Sequence, residues 1–427
     1  MKKTFVFFAI IANVAACAQA GKNGIDVKEV QRIESTLASD EMKGRRVGTP
    51  EMDKAASFIA DEFKKAGLVP VSGNGFLQEF FMVRPKFVSI KGEVNDQELD
   101  PKNIIAVTLE AELKVDEKSG YAIEYVTAGQ DLRARSSEIM KAQKNTVAFF
   151  DTSFAKSFSR LVNYKRAGFK SATSANVIFV LGNYQPATFK FKAEHTLEQI
   201  RFANVVGMLP GKTKKDEFVV FSGHYDHLGI GKPVGTDSIF NGANDDAAGT
   251  TAVITLASYF KKLNNNERTI IFAAFTAEEV GGFGSQYFSR QLEPAKVMAM
   301  FNIEMIGTES KWGKNSAYIT GYEKTNMGDI LQKNLQGTAF TFHPDPYTTQ
   351  NLFYRSDNAT LARLGVPAHT ISTSKMDDEP NYHKVSDEVS TLDLENMAQI
   401  IKAIAESSRS IISGKDTPSR VKPEDLN

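Results

Sequence analysis

Histidine and acidic residues recur beside apolar runs in the second half of the chain. They are His224, Asp226 and His227 after EFVVFSG, Asp245 and Asp246 in NGANDDAAGTTAV, Glu278 and Glu279 after TIIFAAFTA, Glu304 after FNI, and His383 in PNYHKVSDE. Imidazole nitrogen and carboxylate oxygen are ligands that zinc takes from proteins. The residue types therefore indicate a zinc site.

Most of these residues follow predicted strands, and ligands of open α/β sheets bind beyond the carboxyl ends of the strands. We therefore expect them to meet at one edge of a sheet. Taken singly, a histidine is more often structural, Asp245 and Asp246 could cap a helix, and a pair of glutamates is usually solvated. Glu304 is harder to explain in this way, because a carboxylate buried in an apolar run needs a cation.

Five ligands are too many for one open tetrahedral zinc, but a bridging carboxylate allows two metals about 3.5 to 4 Å apart. One glutamate of the pair Glu278 and Glu279 is then free to act as a base. Asp226 is placed to accept the other ring N–H of His224 and fix its tautomer. Two Zn(II) ions are thus the predicted cofactors.

The elements that must position these residues are strands alternating with helices. From about residue 201 the pattern predicts an α/β fold, with a mixed, mainly parallel central sheet and helices on both faces. Residues 21–72 are predicted to be the N-terminal part of the same domain, with a helix that begins after Thr49 and stops at Gly67. Shorter alternating segments indicate an inserted strand-rich lobe over 73–200. The main domain runs over 201–413, and a loose polar tail over 414–427.

The first 20 residues, MKKTFVFFAIIANVAACAQA, predict an export signal, because their apolar run is shorter than a bilayer span. Cys17 could be lipidated after a lipoprotein-type cleavage, or an ordinary cleavage could follow Ala20. We expect a bacterial protein exported to the periplasm or the outer membrane, with contact to a membrane only through that possible anchor. Cys17 is the single cysteine, so disulfides within the chain are excluded. The 51 basic and 51 acidic residues give no reason to expect nucleic-acid binding.

The motifs SGHYDHLG, NGANDDAAGTTAV, FTAEEVGGFGS, FNIEMIG, YRSDNATLARLGVPA and NYHKVSDE occur in this order. As a set they resemble the di-zinc exopeptidases of the bacterial leucyl aminopeptidase and glutamate carboxypeptidase type, peptidase clan MH. The resemblance covers about residues 36–72 and 203–411. It implies a metallo-aminopeptidase that hydrolyses N-terminal residues of short peptides through a metal-bridging water, which Glu278 activates.

The resemblance also implies the role of each site residue. Asp245 would bridge the zincs, with His224 and Glu304 completing one site and Glu279 and His383 the other. Glu278 would be the general base and acid, and Asp226 would orient His224. The family usually has aspartate at the position of Glu304, and often histidine where this chain has Asn358, to which we assign no metal role. His227 could support a metal ligand from outside or be only structural, and we favour the structural interpretation.

Two other functions stay open on sequence grounds. A glutaminyl-cyclase-like enzyme would use a single zinc on a similar fold, and a catalytically inactive binding protein could use the same scaffold. The lobe at 73–200 could be similar to a protease-associated insert or could act as a lid. Side-chain preference, the choice between amino- and carboxypeptidase activity, and the oligomeric state are not readable from the sequence.

Overall fold

The computed structural model describes residues 24–71, 73, 75–165, 167–169, 174–186 and 188–425. The predicted export signal with Cys17 lies outside these residues. They form two compact units, of which the smaller is Phe80–Arg201 and the larger comprises residues 24–79 and 202–425. None of the described helices has the length and apolarity that a membrane span requires.

The secondary structure alternates between strands and helices along much of the chain. The strands are β1 Val69–Pro70, β2 Leu77–Val94, β3 Gln97–Glu98, β4 Ile104–Val107, β5 Glu112–Asp116, β6 Ala122–Val126, β7 Thr146–Phe150, β8 Val177–Leu181, β9 Phe189–Leu209, β10 Lys214–His224, β11 Gly229–Val234, β12 Asp237–Phe240, β13 Arg268–Phe275, β14 Val297–Ile303, β15 Ser316–Ile319, β16 Thr341–Pro344 and β17 Ala368–Ser372. The α-helices are α1 Val27–Leu37, α2 Pro50–Ala66, α3 Leu132–Lys141, α4 Ala248–Leu263, α5 Phe283–Arg290, α6 Met327–Asn334, α7 Asn358–Ala362, α8 Leu394–Ser407 and α9 Arg409–Ile412.

The larger unit contains a central sheet whose strands follow the order β16, β15, β17, β14, β10, β13 and β9. The neighbours of β10, which are β13 and β14, run parallel to it, and β17 runs parallel to β14. The later residues of β9 pair antiparallel with β13, and β15 pairs antiparallel with β17. The sheet is therefore mixed and mainly parallel, and the predicted fold class is confirmed.

The strands at the centre of this sheet are buried on both faces. In β10, Val219 and Phe221 point into a core shared with α1, α2, α4 and α8, whereas Val220 points into a second core with α5 and α7. The ring of Phe221 stacks 4.8 Å from that of Phe301 in β14. Burial on both faces explains why these strands are continuous apolar runs in the sequence.

The helix predicted after Thr49 is α2, and its ends follow the sequence signals. The hydroxyl of Thr49 accepts the backbone N–H of Met52, and Pro50 takes the first helical position. Gly67 ends the helix in the left-handed conformation, with φ of 78°.

The smaller unit contains a four-stranded sheet in the order β4, β8, β7 and β6. Strands β6, β7 and β8 are parallel, and β4 is antiparallel to β8. Apolar side chains of β7 and β8 point alternately into two separate cores. The predicted strand-rich lobe is confirmed, whereas its likeness to a protease-associated insert stays a prediction.

Residues 414–425 are not the loose segment that their polar composition suggested. Val421 is only 3% exposed and packs in the core beside α7. Arg420 donates to the carbonyl oxygens of Val297 and Pro294, and Arg268 donates to that of Asp416. Hydrogen bonds from two arginines therefore fix a segment that has few apolar residues of its own.

Candidate metal centre

The predicted ligands come together at the carboxyl ends of the central strands. His224 ends β10, Glu304 follows β14, and Asp245 lies in the turn Ala243–Ala247 before α4. One ligand atom from each of these three residues lies within 4.8 Å of the others, and Nε2 of His224 is 3.2 Å from Oδ1 of Asp245. This group matches one of the two predicted zinc sites.

A second group shares Asp245 with the first. It contains Glu279, which follows β13, and His227, whose Nδ1 lies 2.8 Å from Oε1 of Glu279. Nε2 of His383 lies beside this group, 3.2 Å from Oδ2 of Asp245 and 3.3 Å from Oε2 of Glu279. A ring nitrogen of His227 is therefore within reach of a cation at Glu279, and the interpretation of His227 as structural stays a prediction.

Buried ligand atoms without a hydrogen-bond partner support metal binding by these residues. Among the described residues, none pairs in hydrogen-bond geometry with Nε2 of His224, either ring nitrogen of His227, Oε1 of Glu279 or Oε2 of Glu304. Buried polar atoms normally have a partner. A set of nitrogen and carboxylate oxygen donors that converge without partners fits zinc.

Asp226 contacts the ring of His224 through its backbone oxygen, and not through the carboxylate that we expected to do so. Nδ1 of His224 lies 3.1 Å from the backbone oxygen of Asp226 and 3.8 Å from its carboxylate, so the carbonyl group orients the ring. The carboxylate instead accepts the backbone N–H groups of Glu278 and Glu279. Asp226 thus positions His224 and the glutamate pair at the same time.

Two further aspartates hold the ligand loops, and neither was predicted to do so. Asp246 accepts the backbone N–H of His224, at 3.1 Å, and that of Met305, also at 3.1 Å. Asp387 accepts the backbone N–H groups of Asn244 and Asp245, at 2.8 and 3.0 Å. The only sequence signal for Asp387 is its place in the polar loop that also carries His383.

Burial changes the acidity of the carboxyl groups at the site. It raises the pKa of Glu278 well above its usual range, and raises that of Glu304 to about 7. Burial also opposes ionisation of Glu279, but the nearby rings of His227 and His383 outweigh it and lower the pKa to about 2. The two adjacent glutamates therefore differ in acidity, so that Glu278 is suited to carry a proton and Glu279 to bind a cation.

The cluster opens into a cleft of about 120 Å³. Glu278 and Glu304 line it together with Tyr382, whose ring stacks on that of His383 with 3.9 Å between centroids. Asn358 is buried and donates its amide to the backbone oxygens of Phe353 and Ala368. The amide of Asn358 thus has backbone partners, and the absence of a metal role stays a prediction.

Comparison with known proteins agrees with this chemistry. Residues 204–408 match the model of peptidase family M28. A probable zinc metalloprotease of Pyrenophora teres is 32% identical over 172 residues, which are 40% of this chain and 34% of that protein. Leucine aminopeptidase 1 of Neurospora crassa is 27% identical over 213 residues, 46% of this chain and 50% of that protein. The chain thus spans about a third to a half of the length of these curated relatives.

Solved structures share the fold at lower identity. The aminopeptidase from Aneurinibacillus sp. strain AM-1 superposes with a TM-score of 0.54 and 18% identity, over 94% of this chain and 97% of that chain. A zinc aminopeptidase from Bacillus subtilis has a TM-score of 0.53 and 17% identity, over 92% and 97% of the two chains. These likenesses concern the fold, whereas the family rests on the matched segment. The segment 204–408 is therefore assigned to peptidase family M28 by its sequence match.

Proposed function

We propose that this protein is a zinc-dependent aminopeptidase that removes N-terminal residues from short peptides. The observation that carries the proposal is the position of Asp245, which is shared by two groups of candidate ligands. Glu278, which belongs to neither group, is buried and lines the same cleft. Two adjoining metal positions with a proton carrier beside them suit the hydrolysis of a peptide bond.

We assign one zinc to His224, Asp245 and Glu304, and the other to Asp245, Glu279 and His383, with His227 as a further candidate for the second. Zinc supplies Lewis acidity to such a site. Glu278 takes a proton from the attacking water and returns it to the departing amine. A raised pKa makes the Glu278 carboxylate a stronger proton acceptor, and Asp226 accepts the backbone N–H of Glu278.

The choice of an aminopeptidase rests on the names of similar proteins. Leucine aminopeptidase is the name of a relative that is similar over half of its length. A protein that shares the fold is named a zinc aminopeptidase.

The test compares three forms of residues 21–427: the wild type, Glu278→Gln and Glu323→Gln. Glu323→Gln is the control, because it removes the charge of an exposed glutamate. Bound zinc is counted, and cleavage of leucyl-peptides is compared with cleavage of their N-acetylated forms. We expect two zincs in all three proteins, cleavage of free N-termini only, and a loss of about 10²- to 10⁴-fold in kcat for Glu278→Gln. Equal activity in wild type and Glu278→Gln would refute the proposal. One zinc together with cyclisation of N-terminal glutamine would favour the cyclase alternative.

We also propose that the protein is exported and that Cys17 carries a lipid. The support is the order of charged, apolar and small residues over residues 1–20. Mass spectrometry of the chain from its native host tests this proposal. A mature chain that begins at Cys17 with added lipid mass is expected, and an unmodified chain that begins after Ala20 would show ordinary cleavage.

A further inference from the structure

Arg45 is a buried cation that the proposed chemistry does not use. It lies at the end of the short helix Asp40–Arg45, in the polar segment between α1 and α2, and its side chain is fully shielded from solvent. Among the described residues it forms no ion pair, since no carboxylate comes within 4.0 Å of its guanidinium. Burying an arginine without a paired carboxylate is costly, so its hydrogen bonds must compensate.

Those hydrogen bonds go to backbone oxygens of three separate segments. Nε donates to Tyr225, at 2.8 Å, and Nη2 donates to Gly242, at 2.9 Å. Nη1 donates to Asn241 and to Leu37, both at 2.6 Å. The planar guanidinium group fixes the directions of these bonds, so that the acceptors are held in one arrangement.

Two of the segments carry predicted zinc ligands. Tyr225 lies between His224 and Asp226, while Gly242 immediately precedes the turn that contains Asp245. The backbone of Arg45 adds a further link, because its carbonyl oxygen accepts the N–H of His227, at 3.3 Å. One residue from the N-terminal segment thus connects the loops on which both candidate metal groups depend.

We propose that Arg45 is a positioning residue for the metal centre. By binding the carbonyl groups of Tyr225, Asn241 and Gly242, it sets the separation between His224 and Asp245, whose ligand atoms lie 3.2 Å apart. Residues that orient metal ligands from outside typically change metal affinity about 10- to 100-fold when they are replaced. The segment before α2 is therefore part of the machinery that binds zinc, although it lies outside the matched region 204–408.

Arg268 provides a matched control. It is also buried, at 2% exposure, and it donates to the backbone oxygens of Ile411 and Asp416. It begins β13, whose opposite end leads to Glu278, so it lies at the far edge of the sheet from the metal centre. A lysine at either position keeps the charge but does not reproduce the guanidinium fork.

The test measures zinc affinity by competition with a chelating dye, in wild type, Arg45→Lys, Arg45→Gln and Arg268→Lys. Circular dichroism at 25 °C first establishes which of these proteins are folded. We expect both Arg45 variants to bind zinc about 10- to 100-fold more weakly and to change the visible spectrum of the Co(II)-substituted protein. Arg268→Lys should lower the melting temperature while its zinc affinity stays within about twofold of the wild-type value.

Several results would overturn the inference. The inference is wrong if Arg45→Gln binds zinc as tightly as the wild type does. It is also wrong if Arg268→Lys loses as much zinc affinity as the Arg45 variants. If Arg45→Lys does not fold, the zinc affinity of Arg45→Gln decides the question, because this variant buries no charge. If neither folds, Arg45 serves folding and the proposal is wrong. The inference rests on the proposed zinc sites but not on catalysis: a wild type that binds no zinc refutes both, whereas one that binds zinc without cleaving peptides refutes only the proposed function.

Discussion

Nδ1 of His227 lies 2.8 Å from Oε1 of Glu279, nearer to this carboxylate than Nε2 of His383, which lies 3.3 Å from the other oxygen. The ring of His227 is buried, and among the described residues neither of its nitrogens has a partner in hydrogen-bond geometry. Both histidines are thus within reach of a cation bound at Glu279. This relationship makes the identity of the second metal-binding histidine an experimental question.

Replacement of each histidine by asparagine answers that question. We expect His227→Asn and His383→Asn each to weaken the binding of one zinc by at least about tenfold, while the other zinc stays bound. Equilibrium dialysis with metal quantification measures this. His343→Asn is the control, since His343 stacks on Trp312 and does not line the cleft. If His227→Asn binds zinc as the wild type does, His227 is structural, as its sequence context suggested.

Asp387→Asn should weaken the metal centre without removing a ligand. An asparagine side chain offers one acceptor oxygen, whereas Asp387 uses two, for the N–H groups of Asn244 and Asp245. We expect the free energy of unfolding to fall by about 1 to 3 kcal/mol and zinc affinity to fall about tenfold. Urea denaturation and dye competition measure the two effects. Asp378→Asn, at an exposed position, should change neither, and an unchanged Asp387→Asn would mean that the loop holds its shape without this contact.

Gly249→Ala should disturb the start of α4. A β-carbon at this position would overlap the backbone oxygen of Ile303 and the carboxylate of Asp246. Since Asp246 holds the backbone of His224, we expect weaker zinc binding together with a loss of about 1 to 3 kcal/mol in stability. Gly73→Ala, which meets open space, is the control. Equal urea midpoints for the two variants would contradict the close packing of α4 against β14.

Glu34 should make stability depend on pH. Burial raises the pKa of this carboxyl group to about 8, although the hydroxyl of Thr251 donates to it, at 2.8 Å. The folded protein therefore keeps a proton that the unfolded chain releases above its own pKa of about 4.5. Stability from this group is complete at low pH and is lost as the pH rises from about 4.5 to 8.

Glu34→Gln removes this titration and keeps an acceptor for Thr251. Relative to the variant, the zinc-free wild type should lose up to about 4 kcal/mol of unfolding free energy between pH 4.5 and 8. Urea unfolding of both proteins at several pH values gives the difference. Parallel pH profiles would mean that Glu34 is not ionised on unfolding in the expected range.

Local sequence patterns were enough to predict the order of elements and the edge of the sheet where the candidate ligands meet. Continuous apolar runs, the cap at Thr49 and the stop at Gly67 report local burial and backbone geometry, which short stretches of sequence encode. The rule that polar residues after parallel strands share one edge then brought His224, Glu279 and Glu304 together. These inferences need only local patterns and one general property of α/β sheets.

The way in which the loops are joined could not be predicted from local sequence patterns. Contacts between residues that are far apart in sequence fix the surroundings of His227, Asp387 and Arg45. For example, Arg45 and Gly242 are 197 positions apart. The packing of residues 414–425 depends likewise on the distant arginine Arg268. A hydrogen bond between distant loops leaves no periodic signal in either, because it is fixed only when the packed sheet brings both into place.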